Sequence, residues 1–133
     1  MKSSRVRSRS GRRAFSLLEL VLVMVIIGLL AAVAAFNLVG QANRARVDTT
    51  KQSIKVIEQA LKTYNFDNGA FPATAQGIPA LVPKYLEKMP LDGWKRPFNY
   101  YSPGPGGQEY VIISAGKDGI PDNEDDVRSW EIE

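Results

Sequence analysis

The chain has 133 residues, 17 bases and 14 acids, with neither cysteine nor histidine. That length fits one domain, or a small domain with an appendage. The missing residue types exclude a disulfide framework, a thiolate metal site, an imidazole base and a Ser-His-Asp triad.

Charge is strongly segregated. Residues 1–14 carry six bases (Lys2, Arg5, Arg7, Arg9, Arg12, Arg13) and no acid. Without them 11 bases face 14 acids, and the net charge turns from +3 to −3. The pI near 9.3 therefore reflects the N-terminus, and no nucleic-acid partner is expected from it. At the other end, residues 118–133 hold seven acids against Arg128 alone.

The next element is apolar. Leu20 to Phe36 is a run of 17 residues without a charge, and it extends from Phe15 to Val39 with only Ser16, Glu19 and Asn37 interrupting. About 20 helical residues cross a hydrocarbon core of about 30 Å, so the segment is long enough to span a bilayer. A buried core helix is the competing reading, but too little chain remains to cover such a rod on all sides. The heavier basic flank precedes the span, which predicts a cytoplasmic N-terminus and an exported C-terminal part. A secretory signal peptide cleaved near Ala31–Ala35 is a second competitor. Its apolar core would be shorter, and Glu19 would serve no purpose in it.

From Asn43 to Phe66 there is no Gly or Pro. Val47, Thr50, Ile54, Ile57, Leu61 and Tyr64 recur at steps of three and four, with Arg46, Lys51, Lys55, Glu58 and Lys62 on the other face. The pattern predicts one continuous helix from about Phe15 to about Phe66. Its first half is apolar all round and its second half amphipathic.

Turn residues follow: Asp67-Asn68-Gly69, Phe71-Pro72, Gln76-Gly77, Pro79, Pro83 and Pro90. A short helix is expected over 77–82. Phe98–Tyr101 and Glu109–Ser114 are rich in β-formers, and the Gly/Pro run 103–107 between them predicts a hairpin. The aromatic residues Tyr85, Trp94, Phe98, Tyr100, Tyr101, Tyr110 and Trp130 are assigned to core packing, not to a stacking platform for bases. The fold class expected is α+β: a long N-terminal helix packed on a small antiparallel β-sheet, with an acidic C-terminal loop.

Glu19 needs a reason, because a carboxylate entering a bilayer costs a few kcal/mol. Its context, Arg12-Arg13-Ala14-Phe15-Ser16-Leu17-Leu18-Glu19, resembles the class III, or prepilin-type, signal of type IV pilins and secretion pseudopilins. The resemblance implies a leader over 1–14, cleavage between Ala14 and Phe15 by a prepilin peptidase, and N-methylation of Phe15. The family usually has Gly where this chain has Ala14. It also implies that Glu19 pairs with the new α-amine of a neighbouring subunit in a filament, since an unpaired charge there would be costly. The competing role for Glu19 is a helix N-terminal acid at the membrane interface.

Three later segments narrow the family. Tyr64–Pro72 resembles the YxxDNGxYP stretch of the major pseudopilin of type II secretion systems. Residues 73–82 resemble its TxQGLxALV, and Pro90-Leu91-Asp92-Gly93-Trp94-Lys95-Arg96-Pro97-Phe98 resembles PxDPWGxPY, with Gly93 for Pro and Lys95 for Gly. The likeness runs from Phe15 almost to the end. It implies a pilin-like periplasmic domain over 40–133 behind a transmembrane, filament-core helix over 15–39.

The acidic loop then acquires a meaning. Asp118 to Asp126 holds five acids in nine residues, and calcium takes six to eight oxygen ligands. The family carries a structural calcium site in its C-terminal loop. The resemblance implies Asp118, Asp122, Glu124, Asp125 and Asp126 as its ligands here; a solvated acidic loop is the alternative. No enzymatic activity is expected. The function implied is that of the major subunit of a short periplasmic pseudopilus that drives export of folded proteins across the outer membrane. Its partners would be copies of itself, minor pseudopilins, an inner-membrane assembly platform and, before assembly, membrane lipid. An adhesive or DNA-uptake type IV pilin shares the leader and is the alternative.

Overall fold

The computed structural model describes residues 14–132, so the leader expected over 1–14 lies outside the described residues except for Ala14. Helix α1 (Leu17–Asn68) is 52 residues long and continuous, as the absence of an internal proline allows. Strands β1 (Asn99–Tyr101), β2 (Val111–Ser114) and β3 (Val127–Arg128) form one antiparallel sheet in that order. In register, Tyr100 faces Ile112, and Ser114 faces Val127. The hairpin stands where turn chemistry placed it. A 3₁₀ turn at Ile78–Leu81 replaces the expected short helix, because Pro79 and Pro83 leave room for only one turn. The chain divides into two units, Met1–Leu38 and Val39–Glu133.

In the first unit the large apolar side chains from Leu17 to Leu38 stand 47–84% exposed. This is the one helix among the described residues long and apolar enough to cross a membrane.

In the second unit α1 turns amphipathic. Ile54, Ile57, Ala60 and Leu61 are buried against Ile78, Leu81, Leu86, Phe98, Tyr100, Ile112 and Val127. Val47 and Tyr64 flank that core half-buried. Each fully buried Ile or Leu contributes about 1.5–3 kcal/mol. Thr50, the polar member of the stripe, is buried and satisfied: its hydroxyl donates to the Arg46 carbonyl at 2.8 Å and accepts from the Gly93 amide at 2.9 Å. The turn after α1 is tied back by Asp67, whose carboxylate accepts from Lys84 at 3.0 Å and from the Tyr85 hydroxyl at 2.9 Å. Lys84 first, then Tyr85, holds the Asp67 carboxyl below the usual carboxylate range.

The aromatic assignment needs one correction. Phe98 and Tyr100 are buried, and the Tyr100 hydroxyl donates to the Pro72 carbonyl at 2.8 Å. Tyr101 and Trp130, however, are each 45% exposed. Successive strand residues point to opposite faces, so burying Tyr100 sends Tyr101 outward.

Candidate functional site

The first candidate site is the start of α1. Ala14, Phe15 and Ser16 precede the helix in non-helical, exposed chain, and Phe15 is 82% exposed. Ser16 caps the helix: its carbonyl accepts the first helical bond from the Leu20 amide, and its hydroxyl accepts the Glu19 amide at 3.1 Å. Ser16-Leu17-Leu18-Glu19 is thus the S-x-x-E pattern of a capping box, a signal the sequence reading passed over. Glu19 stands at the third helical position, in the first turn. There the helix dipole favours a negative charge, and the carboxylate remains exposed.

The second candidate site is the loop between β2 and β3. Its entry and exit are fixed by backbone approach. Gly116 has φ +59, and a Cβ there would collide with the Asp125 carbonyl, so the two ends of the loop touch at a residue without a side chain. Arg96 reaches the same end, donating from Nη1 to the Gly116 carbonyl at 2.9 Å and from Nη2 to the Lys117 carbonyl at 3.3 Å.

Within the loop the five acids play different parts. Asp118 Oδ1 accepts the Ile120 amide at 2.8 Å, and Oδ2 accepts Asn123 Nδ2 at 2.7 Å. Asp125 Oδ2 accepts the Asp118 amide at 3.1 Å; that bond is the main reason its carboxyl lies below the usual range. Asp126 alone is buried. Its Oδ2 accepts the Asp122 amide at 2.9 Å, while Oδ1 is buried without a hydrogen-bond partner. Asp122 enters through its amide, from a left-handed backbone at φ +68, and Glu124 is exposed. The structure therefore ties Asp118 to Asp125 and Asp122 to Asp126, with Glu124 at the rim. Among the described residues no group of three or more acidic side chains gathers into a ready metal cluster. The donors are nevertheless all oxygens, and the orphaned Asp126 Oδ1 is the kind of atom a hard cation satisfies.

Sequence reasoning gave no part in holding this loop to Asn123 or Arg128. Asn123 links it internally, donating to Asp118 and accepting the Asp125 amide on Oδ1 at 3.0 Å. Asn in a Pro-Asp-Asn turn is a known signal for such side chain to backbone bonds. Arg128 donates from Nη2 to the Asn123 carbonyl at 2.9 Å.

Comparisons with known proteins agree with this geometry. The family model described as "Type II secretion system (T2SS), protein G" matches residues 37–130, and the "Prokaryotic N-terminal methylation motif" matches residues 9–35, across the Ala14–Phe15 bond. The chain is 37% identical to the type II secretion system core protein G of Pseudomonas aeruginosa, covering 94% of this chain and 97% of that one. It is 34% identical to the protein of the same name from Escherichia coli, covering 94% and 95%. Among solved structures it is similar to the major pseudopilin from the type 2 secretion system of enterohaemorrhagic Escherichia coli. That match has a TM-score of 0.64 at 30% identity, over 71% of this chain and 95% of that one. A capped apolar helix leading into a pilin-like domain with an acidic loop, matched along nearly its whole length, places the chain in the type II secretion system protein G family.

Proposed function

We propose that this chain is the major structural subunit of a type II secretion pseudopilus, made as an inner-membrane precursor and assembled into a short periplasmic filament. One observation carries the reading: the apolar side chains of 17–39 are exposed along that whole stretch of α1, with a single capped acid at its start. Such a surface needs either lipid or other helices. Lipid holds the subunit first; neighbouring copies replace it in the filament, so the exchange swaps one apolar environment for another and is energetically near balance.

In this reading the prepilin peptidase cuts between Ala14 and Phe15, and Phe15 is N-methylated. The new α-amine of one subunit pairs with Glu19 of the next, which fixes the stacking register. An inner-membrane platform adds subunits at the base, minor pseudopilins take part in the assembly, and the growing fibre drives folded proteins outward. The role is structural, not catalytic. The loop donors fit calcium: Asp118, Asp126 and Glu124, with Asp122 and Asp125 in support, would hold it, and the ion would cancel clustered negative charge. Glu19→Ala, expressed with the secretion apparatus, is expected to accumulate as cleaved membrane monomer and to stop secretion. Filaments and secretion at the unaltered level would refute the register role.

A further inference from the structure

Arg128 occupies an unusual position for a surface base. It lies at the end of β3 with its side chain only 28% exposed, beside the fully buried side chain of Asp126. Nη2 stands 3.6 Å from Asp126 Oδ2 and donates to the Asn123 carbonyl at 2.9 Å. Nη1 donates to Glu131 Oε1 at 3.2 Å, and the guanidinium lies 5.9 Å from the Trp130 ring centroid. One planar cation therefore touches the buried acid, the loop backbone and the 3₁₀ turn Ser129–Glu131 together. The fork geometry of arginine suits that task; a lysine could not meet all three.

A buried carboxylate without a nearby cation is strongly unfavourable. Asp126 is buried, and Arg128 is its nearby cation, addressing Oδ2 while Oδ1 stays without a hydrogen-bond partner. We infer that Arg128 is the resident counter-ion of the acidic loop, holding it in place when no divalent ion is bound and partly redundant with calcium when one is. This rests on the calcium reading above. Redundancy has a thermodynamic signature. If the guanidinium and the ion neutralise the same acid, removing Arg128 costs more without calcium than with it. By the same cycle, calcium then stabilises the Arg128→Gln chain more than the unaltered one.

The test is a four-way melting experiment on the full chain in detergent, with calcium or with EGTA. Tryptophan fluorescence is the readout, since Trp94 and Trp130 both lie in the second unit. Arg128→Gln is expected to lower the Tm by roughly 5–10 °C in EGTA and by less than half of that in calcium. Arg128→Lys should fall between the two. Should Arg128→Gln show no transition in either condition, the lysine chain decides: a calcium shift larger than that of the unaltered chain supports the inference, and an equal shift overturns it. If calcium raises both Tm values by the same amount, the counter-ion role is wrong while the calcium reading stands. If calcium moves neither, the calcium reading has failed and the redundancy falls with it.

Discussion

Ser114 donates a 2.7 Å hydrogen bond to Asp92 Oδ2, and both residues are buried. The other oxygen of Asp92 accepts the Trp94 amide at 2.9 Å and the Arg96 amide at 2.8 Å. One carboxylate thus organises the 92–96 turn and anchors it to the end of β2. Asp92→Ala leaves three donors without a partner and should cost about 2–4 kcal/mol. Asp92→Asn keeps an acceptor for the two amides and should cost about 1 kcal/mol. Chemical denaturation of both variants checks the order; equal losses would contradict it.

Lys95 lies inside that turn with φ +64, a left-handed conformation that costs a side-chain-bearing residue about 1–2 kcal/mol. The family pattern has Gly at this position. Lys95→Gly removes the steric cost but adds unfolded-state entropy, so a net gain of about 0.5–1 kcal/mol is expected. A lower Tm for the glycine variant would mean that the lysine side chain contributes more than its backbone costs.

Gly93, where the pattern has Pro, packs against helix α1. A Cβ there would run into the Arg46 carbonyl, and the Gly93 amide is already bonded to Thr50. Gly93→Ala should therefore lose about 2 kcal/mol or more, since backbone and not a flexible side chain must move. The same denaturation series reads it out; a loss below half a kcal/mol would show that the turn moves freely off the helix.

Burial, with Glu58 next in effect, pushes the Tyr110 hydroxyl up to about 12. The unfolded residue ionises near 10. Between those values the unfolded chain has lost a proton that the folded chain keeps, so stability falls as pH rises from about 10 to about 12. Tyr110 packs on Phe71 with ring centroids 4.8 Å apart, and Phe can keep that contact. Tyr110→Phe should make the alkaline decline shallower without much change at neutral pH. An unchanged alkaline slope would rule Tyr110 out as its source.

Removing calcium from the full chain should lower its Tm, and Asp126→Asn should abolish the response, because Asp126 carries the buried orphan oxygen. Glu124→Gln, at an exposed rim position, should blunt it less. A melt that ignores both calcium and chelator would leave the loop as a hydrogen-bonded acidic turn.

The long helix was readable because its signal is long: an unbroken apolar run, then an apolar stripe at steps of three and four. The hairpin was readable from the Gly/Pro run between two β-rich segments. Strand β3 was not, because two residues after an acidic cluster carry no periodicity; Val127 and Arg128 become a strand only by pairing with Ser114 and Ile113. At the site, composition pointed to the acids but could not rank them. Asp126 differs from Asp125 only in being folded inward, and that depends on Gly116 meeting the Asp125 backbone from nine positions away. Asp92 entered only as one position of the 90–98 motif, with no role, because an acid in a Pro- and Gly-rich turn reads as solvated until Ser114 is placed against it.

In the proposed function, removal of a basic leader creates the filament-building helix end. Intact mass measurement and N-terminal sequencing of the membrane-extracted protein test it most directly. A chain beginning with N-methylated Phe15 is expected. A chain still carrying Met1, or one beginning after Ala35, would contradict it.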